Sequence, residues 1–254
     1  MNLRVALCQT DAVWRSAAQT LRRAEPLVAR ADADLVVLPE LFATGFDPDA
    51  VAVAEPEQGP VLTAMRRWAA RYDRAIAGSV AVATEGGFRN RMYFVRPSGE
   101  AEWYDKRHLF RPGGEAVAYA PGAERRAVSY RGWRLLPLIC YDLRFPVWSR
   151  CRGDYDAILC CAAWPAPRRD AWRTLVRARA IENQCYVAAA NRAGTDPGID
   201  YAGDSALVDF CGRTMAEAGP GERLLVAEFD RAALDAFRDR FPTWMDADRF
   251  RLEE

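Results

Sequence analysis

Short apolar runs bounded by turn residues recur along the chain and alternate with segments of helical periodicity. The runs are typical of buried β-strands, and the periodic segments are typical of helices that cover a sheet. Strands are predicted at Arg4–Gln9, Leu35–Pro39, Ala75–Val82, Arg91–Arg96, Ala101–Asp105, Arg134–Ile139, Ala157–Ala162, Tyr186–Ala190, Ala206–Phe210 and Leu224–Phe229. Helices are predicted at Ala17–Ala31, with an interruption at Pro26, and at Pro60–Tyr72, Asp170–Gln184 and Arg231–Arg240.

The order of these elements predicts an α/β fold with mixed sheets. Strand–helix–strand order near the start indicates parallel pairing, whereas short turns that join other strands directly indicate antiparallel hairpins. Such turns lie at Glu85–Gly87, Pro97–Gly99, Arg131–Gly132 and Cys211–Gly212. No composition break, linker or internal repeat divides the chain, so we predict a single domain over residues 1–254.

The composition narrows the classes of protein. Half of the residues are hydrophobic, and 35 Lys and Arg balance 35 Asp and Glu, so no overall field attracts nucleic acid or an anionic membrane. No apolar run is long enough to cross a bilayer. The seven cysteines and the single histidine lack the spacing of a zinc site, so no metal is expected. The start MNLRVALCQT lacks a signal-peptide pattern, which predicts a cytoplasmic protein with free thiols.

Cys140 follows the apolar run Trp133–Ile139 and precedes the turn-like stretch Tyr141–Pro146. This order predicts a thiol at the carboxyl end of a buried strand, where ligands collect in open α/β sheets. Pro146 suits the first position of a helix, and we expect a short helix at Val147–Arg150 whose amino end favours a thiolate. The other interpretation is a buried thiol that only fills space, as expected for most cysteines of this chain.

Two charged residues also follow predicted strands. Glu40 comes directly after Leu35–Pro39, and Lys106 comes directly after Ala101–Asp105. Beside a thiol, a carboxylate accepts the thiol proton, and an ammonium lowers the thiol pKa and stabilises an oxyanion. The three groups together are the parts of a nucleophilic amide hydrolase. Taken alone, each charged residue is just as typical of a solvated surface.

His108 offers a second way to activate the thiol. A dyad of Cys140 and His108 is one interpretation, but the sequence indicates no third residue to orient the imidazole. The interpretation that we favour is a hydrogen-bonded histidine that steadies the turn after Lys106.

Three motifs together resemble a known family. PEL at Glu40, YDKRHLF at Lys106 and LICYDLRFP at Cys140 are similar, in order and separation, to the signature of the nitrilase (carbon–nitrogen hydrolase) superfamily. Similarity to bacterial omega-amidases runs from end to end of the chain and includes WPAPR, RARAIENQ, YAGDS and FPTWMDADRF. The resemblance implies a four-layer α-β-β-α sandwich that forms a homodimer through the helical layer beside the cysteine strand.

The resemblance also implies a role for each residue of the site. Cys140 is expected to be the nucleophile, Glu40 the general base and later general acid, and Lys106 the stabiliser of the oxyanion. The backbone N–H of Tyr141 is expected to be the second oxyanion donor. Glu115 matches a further family glutamate that orients the lysine and the substrate, although a solvated loop glutamate is the alternative. This chemistry requires no cofactor.

The expected substrate is a short dicarboxylic monoamide such as 2-oxoglutaramate. Arg144 is the candidate to bind its distal carboxylate, and the alternative is that Arg144 pairs with Asp142 or another acid to hold the turn. One departure from the relatives is Ala163, which stands where they carry asparagine and leaves fine specificity open. Four aromatic residues are expected to line a narrow pocket: Phe46, Phe110, Tyr141 and Trp164.

Two other activities fit the same motifs. Nitrile hydrolysis and N-acyl transfer share the three residues, so the motifs alone do not choose among these reactions and amide hydrolysis. A binding protein that kept the fold without catalysis is the third alternative, and the presence of all three chemical groups disfavours it.

Overall fold

Two β-sheets packed face to face form the frame of the chain. The computed structural model describes residues 1–252, so the last two residues of the predicted domain, Glu253 and Glu254, lie outside the described residues. The strands are β1 Leu3–Gln9, β2 Leu35–Val37, β3 Glu55–Pro56, β4 Ala75–Thr84, β5 Gly87–Val95, β6 Ala101–Asp105, β7 Val128–Tyr130, β8 Trp133–Ile139, β9 Ala157–Ala162, β10 Tyr186–Asn191, β11 Ala193–Asp196, β12 Ile199–Ala202, β13 Ala206–Val208, β14 Thr214–Glu217 and β15 Arg223–Phe229. The helices are α1 Ala17–Arg30, α2 Ala50–Val53, α3 Pro60–Tyr72, α4 Glu115–Ala118, α5 Pro146–Ser149, α6 Arg169–Asn183 and α7 Arg231–Arg240.

Each sheet has a parallel centre and antiparallel edges. The first sheet has the order β15-β1-β2-β4-β5-β6, with β3 paired to β4, and the second has the order β14-β13-β10-β9-β8-β7. Strands β1, β2 and β4 are parallel, as are β8, β9 and β10, because segments that contain α1, α3, α5 and α6 provide the crossovers. A separate hairpin, β11–β12, lies outside both sheets. The prediction of mixed sheets is confirmed.

The layers follow from the alternation of side chains along each strand. In β1, Val5 and Leu7 face the core shared by the two sheets, whereas Ala6 and Cys8 face the core beneath α1 and α3. On α6, Trp172 and other apolar residues at helical spacing join the core on the side of the second sheet. The predicted four-layer α-β-β-α sandwich is therefore confirmed. Within residues 1–252, no helix combines the length and hydropathy needed to cross a bilayer.

The helices largely match their predicted positions, with one correction. Pro26 does not interrupt the first helix, since α1 runs continuously from Ala17 to Arg30. Proline leaves the carbonyl of Arg22 without its usual donor, but both residues lie on the exposed face, where water replaces the lost bond. The short helix expected after Cys140 is present as α5.

The strands missed by the sequence patterns are short and depend on tertiary contacts. β3, β7, β11, β12 and β14 are absent from the predicted set, because two to four residues carry little periodicity. β11–β12 is held by Asp196, whose carboxylate accepts hydrogen bonds from Arg192 and Tyr201. β13 ends two residues earlier than predicted because Asp209 turns the chain by accepting the N–H of Cys211.

Asp156 anchors the carboxyl-terminal helix to the second sheet. Its buried carboxylate accepts hydrogen bonds from Arg134 at the start of β8, and from Arg231 and Arg238 on α7. Burial acts to raise the pKa of Asp156, but the hydrogen bonds from Arg134 and Arg231 outweigh it and hold the pKa well below its ordinary value. The ionised form is therefore the one that stabilises the fold.

We predict that Asp156→Asn lowers the free energy of unfolding by about 3 kcal/mol at pH 7, because three guanidinium groups lose their shared anion. A lowered pKa gives stabilisation that is present above the ordinary Asp pKa and is lost as pH falls through the folded-state pKa. The difference in the free energy of unfolding between wild type and variant should therefore become smaller in acid, as measured by urea denaturation. Asp32→Asn, at a surface pair with Arg4, is the control and should change stability little. An unchanged difference across pH would contradict this assignment.

Candidate active site

Three chemically active side chains meet at a cavity between the sheets. Glu40 lies just past β2 and Lys106 directly after β6, both from the first sheet, and Cys140 lies directly after β8 of the second. All three line a cavity of about 520 Å³. The predicted assembly of thiol, carboxylate and ammonium is therefore present in space, although the residues are far apart in sequence.

Cys140 sits in a strained turn at the end of its strand. Its φ is +45°, in the left-handed region that non-glycine residues rarely adopt, and a short 3₁₀ turn, Cys140–Arg144, follows. Leu41, which follows Glu40, has a similar φ of +44°. Such conformations cost about 1–3 kcal/mol each and persist only where surrounding contacts enforce them. They direct both reactive side chains out of their strands.

Asp142 ties the turn of Cys140 to the loop that follows Lys106. One oxygen accepts the hydroxyl of Tyr104 at 2.7 Å and the N–H of Ile139 at 3.0 Å. The other oxygen is 2.8 Å from both the backbone nitrogen and Nδ1 of His108. The segments that carry the thiol and the ammonium are therefore fixed to each other.

His108 takes the structural role that we favoured. Its Nδ1 is committed to Asp142, and its ring stacks on Phe145 with centroids 3.8 Å apart. Within residues 1–252, the side chains that line the cavity do not include His108. A dyad with Cys140 is therefore not the arrangement of this site.

Glu40 is buried and oriented from both oxygens. Oε1 lies 2.7 Å from Nζ of Lys106, and Oε2 accepts the backbone N–H of Ala163 at 2.9 Å. The hydroxyl of Ser79 accepts the N–H of Leu41 and fixes the backbone just after the glutamate. The side chains of Glu40 and Lys106 have no exposed surface, so the interpretation of either as a solvated surface residue is wrong. Ala163 supports Glu40 through its backbone, so this contact does not depend on the missing asparagine.

Glu115 completes an ion cluster around the lysine. Its oxygens lie 2.8 and 3.1 Å from Nζ of Lys106, and Oε2 also accepts the N–H of Phe110 at 2.6 Å. The side chain is fully buried, so the alternative of a solvated loop glutamate is wrong. The loop returns to the lysine at Gly122, where a Cβ would lie 2.2 Å from the carbonyl oxygen of Asp105, so only glycine fits.

The cluster shifts the pKa values of its members. Burial acts to lower the pKa of Lys106, but the carboxylates of Glu115 and Glu40 outweigh it and raise the pKa well above its ordinary value. Burial raises the pKa of Glu115, and the nearby charge of Glu40 adds to this. Burial and the carboxylate of Glu40 raise the pKa of Cys140 far above its ordinary value, despite Lys106. The direction of this shift is opposite to the thiolate that we expected the amino end of the short helix to favour.

Asn90 is a residue of the site that the sequence patterns did not indicate. Its Nδ2 donates to Glu40 at 2.8 Å and to Glu115 at 2.9 Å, and its backbone carbonyl accepts the N–H of Lys106 at 2.9 Å. Among residues 1–252, its buried Oδ1 has no hydrogen-bond partner. The amide is thus oriented by the two carboxylates. In the sequence Asn90 stands between Arg89 and Arg91, just before the predicted strand Arg91–Arg96, so no pattern distinguished it.

The predicted aromatic walls are in place. Phe46, Phe110, Tyr141 and Trp164 all line the cavity. As the second residue of its turn, Tyr141 also has a backbone N–H without a partner inside that turn, so this donor is available for an oxyanion. The walls that sequence reasoning missed include Arg168 and the tip of β11–β12, Pro197–Gly198.

Arg144 lines the cavity and does not hold the turn. Its guanidinium lies 4.8 Å from the ring centroid of Trp164. It forms no ion pair within residues 1–252, and the oxygens of Asp142 are occupied by other donors. The alternative of a pair between Arg144 and Asp142 is therefore wrong, and a free cation faces the cavity.

The geometry now permits comparison with known proteins. A family model described as carbon–nitrogen hydrolase matches residues 4–239. An omega-amidase YafV of Yersinia enterocolitica is 47% identical over 254 residues, covering 99% of each chain. A 2-oxoglutaramate amidase of Bacillus subtilis is 34% identical over 253 residues, covering 97% of this chain and 98% of that one. The crystal structure of XC1258 from Xanthomonas campestris, a CN-hydrolase superfamily protein with an arsenic adduct in its active site, has a TM-score of 0.97 at 44% identity and covers 100% of both chains.

The chain belongs to the carbon–nitrogen hydrolase family, since the family model spans most of its length and the relatives cover nearly all of it. It is therefore an enzyme that hydrolyses carbon–nitrogen bonds. The resemblance to the nitrilase superfamily and to bacterial omega-amidases is confirmed.

We predict that Asn90→Asp lowers kcat by about 100-fold or more, because an oxygen replaces the amide that donates to Glu40 and Glu115 and adds a third acidic group. Lowering the pH should recover part of the activity, since protonation of the new carboxyl restores one donor. The measurement is the pH profile of kcat. Asn183→Asp, a buried asparagine that donates to Arg179, is the control and should cost stability without changing that profile. A parallel loss at every pH would contradict the role of Asn90.

Proposed function

We propose that this enzyme is an omega-amidase that hydrolyses the terminal amide of a small carboxylated amide, with 2-oxoglutaramate as the model substrate. The observation that carries the proposal is the placement of Cys140 beside a buried carboxylate and ammonium, in a cavity that also holds the free cation of Arg144. The names of two relatives, omega-amidase and 2-oxoglutaramate amidase, support the same substrate class.

The first half of the proposed reaction forms a thioester. The raised pKa of Cys140 keeps the thiol protonated at rest, so the proton must leave as sulfur attacks the amide carbon. Glu40 takes this proton. Lys106 and the backbone N–H of Tyr141 then stabilise the charge that develops on the carbonyl oxygen.

The second half releases both products. Protonated Glu40 gives its proton to the departing nitrogen, so the carbon–nitrogen bond breaks, ammonia leaves and the acyl group remains on Cys140. Glu40 then takes a proton from water, whose oxygen attacks the thioester, and the collapse of that intermediate returns the proton to sulfur. The proposed steps balance without a cofactor.

Glu115 and Asn90 support these steps by fixing the positions of Lys106 and Glu40. Glu115 holds Nζ of Lys106, and Asn90 links Glu115 to Glu40, so the three charged groups stay in one arrangement. Because the cluster is pre-formed and dry, little reorganisation accompanies the reaction.

The substrate is proposed to lie with its amide at Cys140 and its carboxylate at Arg144. Guanidinium groups bind carboxylates through paired hydrogen bonds, and Arg144 has no competing anion within residues 1–252. Phe46, Phe110 and Trp164 supply the apolar walls between the two ends.

We predict that the wild-type enzyme releases ammonia from 2-oxoglutaramate and that Cys140→Ala lowers kcat by about 10⁴-fold or more, since it removes the nucleophile. The measurement is coupled ammonia detection, with circular dichroism to check the fold. Cys211→Ala, a half-buried thiol away from the cavity, is the matched control and should keep full activity.

A substrate panel distinguishes this proposal from its alternatives. Amide hydrolysis, nitrile hydrolysis and acyl transfer to amines use the same three residues. Turnover of one substrate for each reaction is therefore compared at equal concentration. A preference for nitriles or for acyl transfer would replace the proposed reaction. Turnover that survives Cys140→Ala would end it.

We also propose that the chain is one carbon–nitrogen hydrolase domain that works in the cytoplasm. The sheets share one apolar core, which supports a single folding unit. All seven cysteines are free, which is typical of a reducing compartment.

We propose a homodimer formed through the helical layer beside β8. Apolar side chains are exposed on this layer, including Val147 on α5 and Ile181 on α6, at 52% and 53%. Large apolar side chains exposed on the same layer support an association surface there.

We predict that light scattering gives a molar mass twice that of the 28.4 kDa chain. Val147→Glu should shift this mass toward that of the monomer, because a charge enters the apolar contact. Val51→Glu places the same charge at another exposed valine, on α2, and should leave the mass unchanged. Monomeric wild type would contradict the proposal.

A further inference from the structure

A second free guanidinium faces the cavity. Beyond Arg144, which the proposed function already uses, Arg168 also lines the cavity wall and makes no ion pair within residues 1–252. We propose that Arg168 is a specificity-determining residue that binds the anionic end of the substrate together with Arg144. This inference rests on the proposed function and names a residue that selects carboxylated amides over neutral ones.

The local structure explains why this arginine is free while its neighbours are not. Arg168 ends a short 3₁₀ turn, Ala166–Arg168, directly before α6. Arg169 and Arg173, on the first turns of α6, both bind Asp204 at 2.9 and 3.0 Å. Arg168 lies outside that cluster, and its guanidinium sits 5.2 Å from the ring centroid of Phe110, which itself lines the cavity.

Trp164 connects the two arginines. Arg144 lies over the face of its ring at 4.8 Å, and its indole N–H donates to the backbone carbonyl of Arg168 at 2.8 Å. The indole is therefore fixed between the turn of Cys140 and the turn before α6. Any anion that contacts Arg144 above this ring lies close to the segment that carries Arg168.

The charges around the cavity leave these two cations uncompensated. Asp47 and Asp196 line the wall, but they are paired with Arg15 and Arg192. At the reacting end, Glu40 and Glu115 share the single ammonium of Lys106, so this end is net negative and repels an anionic substrate.

Two free guanidiniums offset that repulsion only if they hold the negative group of the substrate at the other end. A single solvent-exposed guanidinium contributes little binding free energy to an ion pair, because water screens the attraction. A carboxylate that receives hydrogen bonds from two guanidiniums gains more, because it accepts at both oxygens. The arrangement therefore favours short amides whose far end is a carboxylate, and Arg168 contributes to the selection.

The test compares two amides of matched length, succinamate with its carboxylate and butyramide without it. For Arg168→Ala we expect KM for succinamate to rise about 10-fold or more with kcat nearly unchanged, because one charge-assisted contact to the non-reacting end is lost. The ratio of kcat/KM for succinamate over butyramide should fall by the same factor. Arg168→Lys should retain part of this ratio, since the charge remains.

A binding measurement that needs no turnover accompanies the kinetics. In Cys140→Ala, which lacks the nucleophile, the affinity for succinamate should fall about 10-fold when Arg168→Ala is added, measured by calorimetry. The control is Arg169→Ala, which alters the adjacent residue and its pair with Asp204 but should leave the succinamate-to-butyramide ratio at the wild-type value.

The outcomes separate this inference from the proposed function. If wild type prefers succinamate and Arg168→Ala keeps that preference, or if both amides lose activity equally, the role of Arg168 is overturned while the amidase proposal stands. If wild type shows no preference for succinamate, both are overturned.

Discussion

The site depends on one electrostatic constraint, a single buried ammonium held between two buried carboxylates. Lys106 lies within 2.8 Å of both Glu40 and Glu115, and removal of its ammonium would leave two like charges buried side by side. The neutral amide of Asn90 relieves the excess of negative charge by donating to both carboxylates. In the proposed reaction this cluster holds Glu40 in place to accept a proton, and burial together with the carboxylate of Glu40 raises the pKa of the Cys140 thiol.

The fold supplies this arrangement by bringing the ends of strands from two sheets to one cavity. Strained turns after β2 and β8 direct the side chains outward, and Asp142 fixes the thiol turn to the lysine loop. None of these contacts is a catalytic step, yet each sets a distance on which the proposed chemistry depends. The backbone strain is held by the packing of both sheets, because their shared core limits how far either strand end can relax.

The sequence predicted the parts that have a local pattern. Apolar runs and their terminators placed Glu40, Lys106 and Cys140 at strand ends, and the family motifs indicated Glu115. Asn90 was missed because a polar residue inside a strand reveals nothing about which carboxylates it meets. Arg168 was missed for a related reason, since only the folded chain shows that its neighbours are paired to a distant aspartate. The raised pKa of the Cys140 thiol also required the fold, because burial is its largest cause.

The hairpin β11–β12 stands apart from both sheets and places Pro197–Gly198 in the cavity wall, while Arg192 anchors its base through Asp196. It contributes no residue to the ion cluster. Changes in the length or sequence of this tip can therefore alter the shape of the cavity wall without moving Glu40, Lys106 or Glu115. The ion cluster and this part of the cavity wall are therefore set by separately anchored segments of backbone.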